Sequence, residues 1–129
     1  MSDDWVFGFG SLVEVTALAD YLGRGRFATD DFQQCRLRDF RRAWNIARDN
    51  GDDIPGLDHF VHSATGARVA GFIVSVNVRA APGGWVNGIA FRATADEIAI
   101  LDRREANYDR IEVTKLIAPA PGGRVWVYR

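Results

Sequence analysis

One carboxylate in the second half of the chain combines a titratable group with a predicted buried position. Thr94 and Glu97 form an S/T-x-x-E capping box, which marks the start of a helix that we predict over 94–107. Four residues follow on one face at helical spacing: Ile98, Leu101, Glu105 and Tyr108. Because desolvation raises the pKa of a carboxylate toward the range useful for proton transfer, Glu105 is a candidate general acid/base.

The residues alone leave a structural role for Glu105 open. It could pair with an arginine such as Arg42, Arg92 or Arg110, or it could be exposed where the helix frays. Tyr108 on the same stripe is either packed in the core or part of a pocket wall.

A second candidate is the stretch FGFGSL, where a hydrophobic strand runs into small residues. It fits neither a dinucleotide fingerprint, which needs glycine where Val13 stands, nor a nucleophile elbow, which needs glycine where Phe9 stands. The amides of Gly10, Ser11 and Leu12 could instead bind an anion such as a carboxylate. The alternative is a tight turn that binds nothing.

Other kinds of site have weaker support. His59 and His62 have no cysteine or second carboxylate to complete a zinc set, so we expect no metal. The DNGDD stretch at 49–53 lacks the later ligands of a calcium loop and indicates a hairpin turn. Strand alternation would split the arginines of 36–42 between two faces of the sheet, which argues against nucleic-acid binding. One of them, Arg41 or Arg42, could instead contact a substrate carboxylate.

The elements that must position these residues are mostly strands. Apolar, β-branched and aromatic runs predict strands over 5–9, 35–40, 44–48, 60–63, 68–78, 86–92, 110–116 and 124–128. Turn residues separate them, including APGG at 81–84, and helices are predicted over 15–22 and 94–107. We therefore predict one α+β domain, 1–129, around a small, mixed, barrel-like sheet.

Composition limits the possible partners and compartment. The chain has 129 residues, is 47% hydrophobic and carries a net charge of −1, which offers no general attraction to nucleic acid or to anionic membranes. Its longest apolar runs are too short to span a bilayer. With Cys35 as the single cysteine and no signal-peptide pattern in MSDDW, we expect a cytoplasmic protein, either monomeric or homodimeric.

The two candidate stretches together resemble the γ-glutamylcyclotransferase-like superfamily, which includes the ChaC and AIG2-like groups. FGFGSL at 7–12 is similar to that family's F-G-Y-G-S-L loop, and CRLRDFRRAW at 35–44 to its following arginine-aromatic strand. The block from 88 to 113, GIAFRATADEIAILDRREANYDRIEV, is the most specific match, because it is similar to the family's G-x-x-[YF]-R…L-D-x-x-E…Y-x-R-x-x-V pattern.

The resemblance implies roles for particular residues. The family's proton-transfer glutamate matches Glu105, and the loop that holds the γ-glutamyl group matches Gly8, Phe9, Gly10, Ser11 and Leu12, with Tyr108 beside them. Phe9 departs from the family's tyrosine, so the resemblance does not carry over the substrate hydrogen bond of that hydroxyl, nor the family substrate that depends on it. The resemblance implies no cofactor.

The implied activity is γ-glutamyl cyclotransfer: the substrate α-amine attacks its own γ-carbonyl, releasing 5-oxoproline and an amine or amino acid. One carboxylate could serve as base and then as acid, while loop amides hold the oxyanion or the substrate α-carboxylate. Phe9 favours an alternative, a non-catalytic protein on the same fold that binds γ-glutamyl compounds or amino acids. A further alternative is the removal of a γ-glutamyl group from a larger biosynthetic intermediate.

Overall fold

The structure, a computed structural model, describes residues 4–53 and 59–129. In this part of the chain, six strands form one mixed sheet flanked by two α-helices. The strands are β1 (Asp4–Gly8), β2 (Phe32–Asp49), β3 (Phe72–Ala93), β4 (Arg110–Glu112), β5 (Ile117–Ala118) and β6 (Val125–Tyr128), and the helices are α1 (Val15–Tyr21) and α2 (Ala95–Arg104).

The sheet has the strand order β4-β6-β1-β3-β2-β5. The pair β1 and β6 is parallel, and the other neighbouring strands within the described sheet pair antiparallel. The sheet curls into a half-barrel, so the predicted α+β class with a barrel-like mixed sheet is confirmed.

Both faces of the sheet are covered at β1, which explains why its central residues Trp5, Val6 and Phe7 are all apolar. Trp5 and Phe7 point into one core cluster, inside the curl, while Val6 between them points into the other. The second cluster includes Leu18 of α1 and Leu101 of α2. The end of β1 is therefore fixed between two packed layers.

The strands β2 and β3 are longer than the sequence predicted. The predicted strands 35–40 and 44–48 are joined in β2, and the APGG turn at 81–84 lies within β3. The ladder accommodates these residues by a register shift at Asp39, which has φ 63° and accepts a hydrogen bond from the Gly83 amide at 3.0 Å. The turn residues therefore make a β-bulge instead of ending a strand.

The connection from β2 to β3 also differs from the prediction. The predicted strand 60–63 is reduced to one isolated bridge between Val61 and Arg68, and β3 starts at Phe72 instead of 68. The buried Asn50 side chain accepts a hydrogen bond from the Phe60 amide and donates one to the Phe60 carbonyl. The Phe60 amide is thus not free to pair with a neighbouring strand. The described residues after the DNGD turn at 49–52 therefore do not form the tight hairpin that the turn predicted.

The strand predicted over 110–116 ends at Glu112, and a 3₁₀ turn follows over Thr114–Leu116. At this point the Thr114 hydroxyl accepts a hydrogen bond from the Val125 amide at 3.0 Å, in place of a backbone carbonyl. The two-residue strand β5 was not predicted.

The helix that carries the candidate carboxylate begins as predicted. Both halves of the capping box between Thr94 and Glu97 are present. The helix ends at Arg104 rather than at 107, and Glu105 is its C-cap residue, with its amide bonded to the Leu101 carbonyl. Within the described residues, no helix has the length and apolar character needed to cross a membrane.

Candidate active site

The glycines after β1 permit close approaches of backbone and side chains. A Cβ atom at Gly8 would lie 2.8 Å from the Cβ and carbonyl oxygen of Leu12, and one at Gly10 would lie 2.9 Å from a methyl group of Val76. The chain can therefore reverse tightly at the end of β1 and enter a 3₁₀ turn at Ser11–Val13. The first amides of such a turn, those of Ser11 and Leu12, have no acceptor within it.

Arg42 holds this loop from strand β2, which lies on the far side of β3 from β1. Its guanidinium donates to the Phe9 carbonyl at 3.0 Å and to the carbonyl and side-chain oxygens of Asn87. The sequence suggested Arg41 or Arg42 as a contact for a substrate carboxylate. In the structure Arg42 instead fixes the loop backbone, a role for which the sequence carries no signal.

A narrow cavity of about 40 Å³ opens beside the loop. Its walls are Phe7, Phe9, Gly10, Ser11, Leu12, Val76, Glu105, Tyr108 and Tyr128. The fold thus brings Glu105 and Tyr108 to the same cavity as the loop after β1, although the loop lies more than 90 residues earlier in the sequence. Gly8 is not part of the wall, and its position is explained by its close approach to Leu12.

Glu105 is largely buried in the wall, with 14% of its side-chain surface exposed. Burial raises the pKa of its carboxyl group above the usual value and outweighs the opposing effect of Arg104, whose guanidinium lies 2.5 Å away. A raised pKa makes this carboxylate a stronger base than an exposed glutamate, which suits it to proton transfer.

The partner of Glu105 differs from those that the sequence suggested. Arg42 binds the loop and Arg110 pairs with Asp102, while Arg92 lies 3.5 Å from Asp31. Arg104, the residue immediately before Glu105, makes the ion pair instead. The second terminal nitrogen of Arg104 lies 3.5 Å from the Ser11 hydroxyl, which links the helix end to the loop.

Two tyrosines complete the wall. The Tyr108 hydroxyl donates to the Val76 carbonyl at 2.7 Å, and burial together with the Glu105 charge raises its pKa. The Tyr128 hydroxyl donates to the Asp102 carboxylate at 2.8 Å. Burial is the main cause of the raised pKa of Tyr128, and the hydrogen bond to Asp102 raises it further. Both hydroxyls are therefore neutral donors engaged in fixed contacts. The sequence did not single out Tyr128.

The cavity adjoins a wider groove of about 530 Å³. Ser11, Val76, Glu105 and Tyr108 belong to both walls, so Glu105 lies where the cavity meets the groove. A substrate held across this boundary would place a narrow part in the cavity and a larger part in the groove.

Residues 4–53 and 59–129 offer little for metal or thiol chemistry. No group of three or more histidine, cysteine, aspartate or glutamate side chains is arranged there to hold a metal ion. Burial raises the pKa of the Cys35 thiol to about 11, so this cysteine is not an activated nucleophile.

Comparison with known proteins identifies the fold. No family model matches the chain, and no curated protein matches it by sequence. A solution structure of an Arabidopsis thaliana protein matches with a TM-score of 0.61 at 20% identity, covering 99% of this chain and 68% of that one. A structure named gamma-glutamyl cyclotransferase matches with a TM-score of 0.56 at 17% identity, covering 97% of this chain and 68% of that one. The resemblance drawn from the motifs is thus confirmed for the fold.

Proposed function

We propose that this chain is a γ-glutamyl cyclotransferase in which Glu105 transfers the protons. One observation carries the proposal: a nearly buried carboxylate with a raised pKa lies in the wall of a cavity that is also lined by the loop after β1. The fold shared with a structure named gamma-glutamyl cyclotransferase supports the same conclusion.

The reaction needs no nucleophile from the protein. The substrate α-amine attacks the γ-carbonyl carbon, which forms the new C–N bond of a five-membered ring. Glu105 removes a proton from the attacking nitrogen and delivers it to the departing nitrogen as the original amide C–N bond breaks. The products are 5-oxoproline and a free amine, and the carboxylate returns to its starting state.

The shape of the cavity favours this cyclisation. Its narrow space would hold the γ-glutamyl chain bent over its own carbonyl, which supplies a large part of the rate enhancement of an intramolecular reaction. The amides of Ser11 and Leu12 are donors for either the developing oxyanion or the α-carboxylate.

Phe9 supports a second candidate, a γ-glutamyl or amino-acid binding protein on the same fold. Its ring stacks on Phe7 with centroids 6.5 Å apart and brings no hydroxyl to the cavity. A pocket that lacks one polar contact could keep binding and lose turnover.

The test compares three substrates by measuring released 5-oxoproline. We expect γ-glutamyl-alanine to be converted, and we expect no product from α-glutamyl-alanine or from N-acetyl-γ-glutamyl-alanine, whose amine is blocked. Binding of γ-glutamyl-alanine without turnover, measured by calorimetry, would establish the binding protein instead. Absence of both binding and turnover would refute both candidates.

A further inference from the structure

The groove next to Glu105 is formed mainly by the far half of the β2–β3 ladder. Its lining includes Trp44 and Arg48 of β2, residues 73–76 of β3, and Phe60 from the connection between these strands. The groove is more than ten times larger than the cavity, at about 530 against 40 Å³. It can accept a substituent that the cavity cannot.

Its wall exposes large apolar side chains. Trp44 is 72% exposed, Phe60 62% and Val74 50%. Single exposed apolar residues need no explanation, but three that line the same groove form an apolar surface typical of ligand contacts.

The positions of the two aromatic residues are determined by specific backbone features. Trp44 lies in the register shift between Ala43 and Ile46, and such a bulge redirects a side chain from the regular alternation of the strand. The backbone of Phe60 is held by the buried Asn50 side chain through two bonds of 2.8 Å. A rigid backbone beneath an exposed ring lowers the entropy cost of binding to that ring.

The groove also has a defined place in the reaction. The γ-glutamyl unit occupies the cavity in the proposed function, and the bond that breaks lies beside Glu105. The departing amine must then lie on the groove side of Glu105, because the cavity already holds the other half of the substrate.

We propose that the groove is the leaving-group subsite and that it selects γ-glutamyl amides whose amine carries a flat apolar substituent. Trp44 and Phe60 provide the contact surface, and Val74 of β3 adds an apolar side chain to the same wall. The inference rests on the proposed function, since it uses the direction in which the amine departs.

The experiment measures kcat/KM for γ-glutamyl benzylamide and γ-glutamyl methylamide. The parent is expected to prefer the benzylamide by about tenfold or more, which is the scale of burying one aromatic ring. Trp44→Ala and Phe60→Ala are each expected to reduce that preference several-fold. The matched control is Trp85→Ala, which removes another exposed tryptophan that stacks on Arg36 away from this groove and should leave the preference unchanged.

The possible failures are distinguishable. Turnover of both amides at equal kcat/KM would overturn the subsite and leave the proposed function standing. Turnover of γ-glutamyl-alanine but of neither amide would also overturn the subsite. Failure to turn over all three compounds would refute the proposed function and, with it, the leaving-group role of the groove. Calorimetry with the two amides would then show whether the groove binds a flat apolar substituent: tighter binding of the benzylamide that is lost in Trp44→Ala would show that it does, and equal affinity would show that it does not. A dimer in light scattering that becomes monomeric in Trp44→Ala, with an unchanged preference, would show that a second copy covers the groove and would overturn the proposal.

Discussion

The carboxylate of Glu105 lies 2.5 Å from the guanidinium of Arg104, and the same guanidinium approaches the Ser11 hydroxyl at 3.5 Å. The candidate base is thus paired with a cation at the junction of helix and loop. This pair moderates the effect of burial, because Arg104 stabilises the ionised carboxylate that desolvation destabilises.

Replacing Arg104 by glutamine should move the acid limb of the kcat/KM profile to higher pH. The limb reports ionisation of the essential base in the free enzyme, and the loss of the nearby positive charge raises the pKa of Glu105 further. The control is Arg103→Gln, an exposed neighbour on the same helix. An acid limb that stays in place in Arg104→Gln would show that this ion pair does not tune the base.

Glu105→Gln should be more stable than the parent at neutral pH. A carboxyl group whose pKa is raised by folding contributes stability when protonated, and that contribution is lost as the pH rises through the folded-state pKa. Glutamine avoids this loss, so the advantage of the variant should shrink as the solution is acidified. Urea unfolding at pH 7 and near pH 4 measures the difference; an advantage that grows on acidification would contradict the raised pKa.

The two loop glycines should respond differently to alanine. In Gly8→Ala the new Cβ meets the backbone of Leu12, so we expect a destabilisation of about 1–3 kcal/mol. In Gly10→Ala the new Cβ points toward a methyl group of Val76 in the cavity wall, so we expect a smaller loss of stability and weaker substrate binding. Thermal melting and KM separate the two effects; a normal KM in a well-folded Gly10→Ala would place the substrate elsewhere.

Phe9→Tyr should keep the fold. The Phe9 ring is only partly buried and lines the cavity, so a hydroxyl at its tip has space that a dry core would not provide. We expect a melting temperature close to that of the parent and tighter binding of a γ-glutamyl compound in calorimetry. A strongly lowered melting temperature would show that the ring packs in a closed core.

Much of the fold follows from local sequence patterns. The capping box of Thr94 and Glu97 set the start of α2 and the phase that places Glu105 beside Leu101 on the inner face. The apolar run of β1 likewise predicted its burial. These features depend on neighbours in the chain, which a single sequence records.

The rest depends on contacts between distant segments. APGG normally marks a turn, but pairing of β3 with β2 across Asp39 absorbs it as a bulge. Neither the bonds of Arg42 to the Phe9 carbonyl nor those of Asn50 to Phe60 leave a pattern in the sequence, because each joins segments that the fold alone brings together. The partner of Glu105 was missed for a different reason: Arg104 is its neighbour in sequence, and helix geometry directs attention to residues three or four apart.

The most direct test of the central claim compares 5-oxoproline release by the parent and by Glu105→Gln under the same conditions. Glutamine keeps the size of the side chain and can hydrogen-bond, but it cannot carry a proton between the two nitrogens. We predict that Glu105→Gln binds γ-glutamyl-alanine with similar affinity and forms product at least about 10²-fold more slowly. Equal and appreciable release by both proteins would contradict the assignment of Glu105 as the proton carrier.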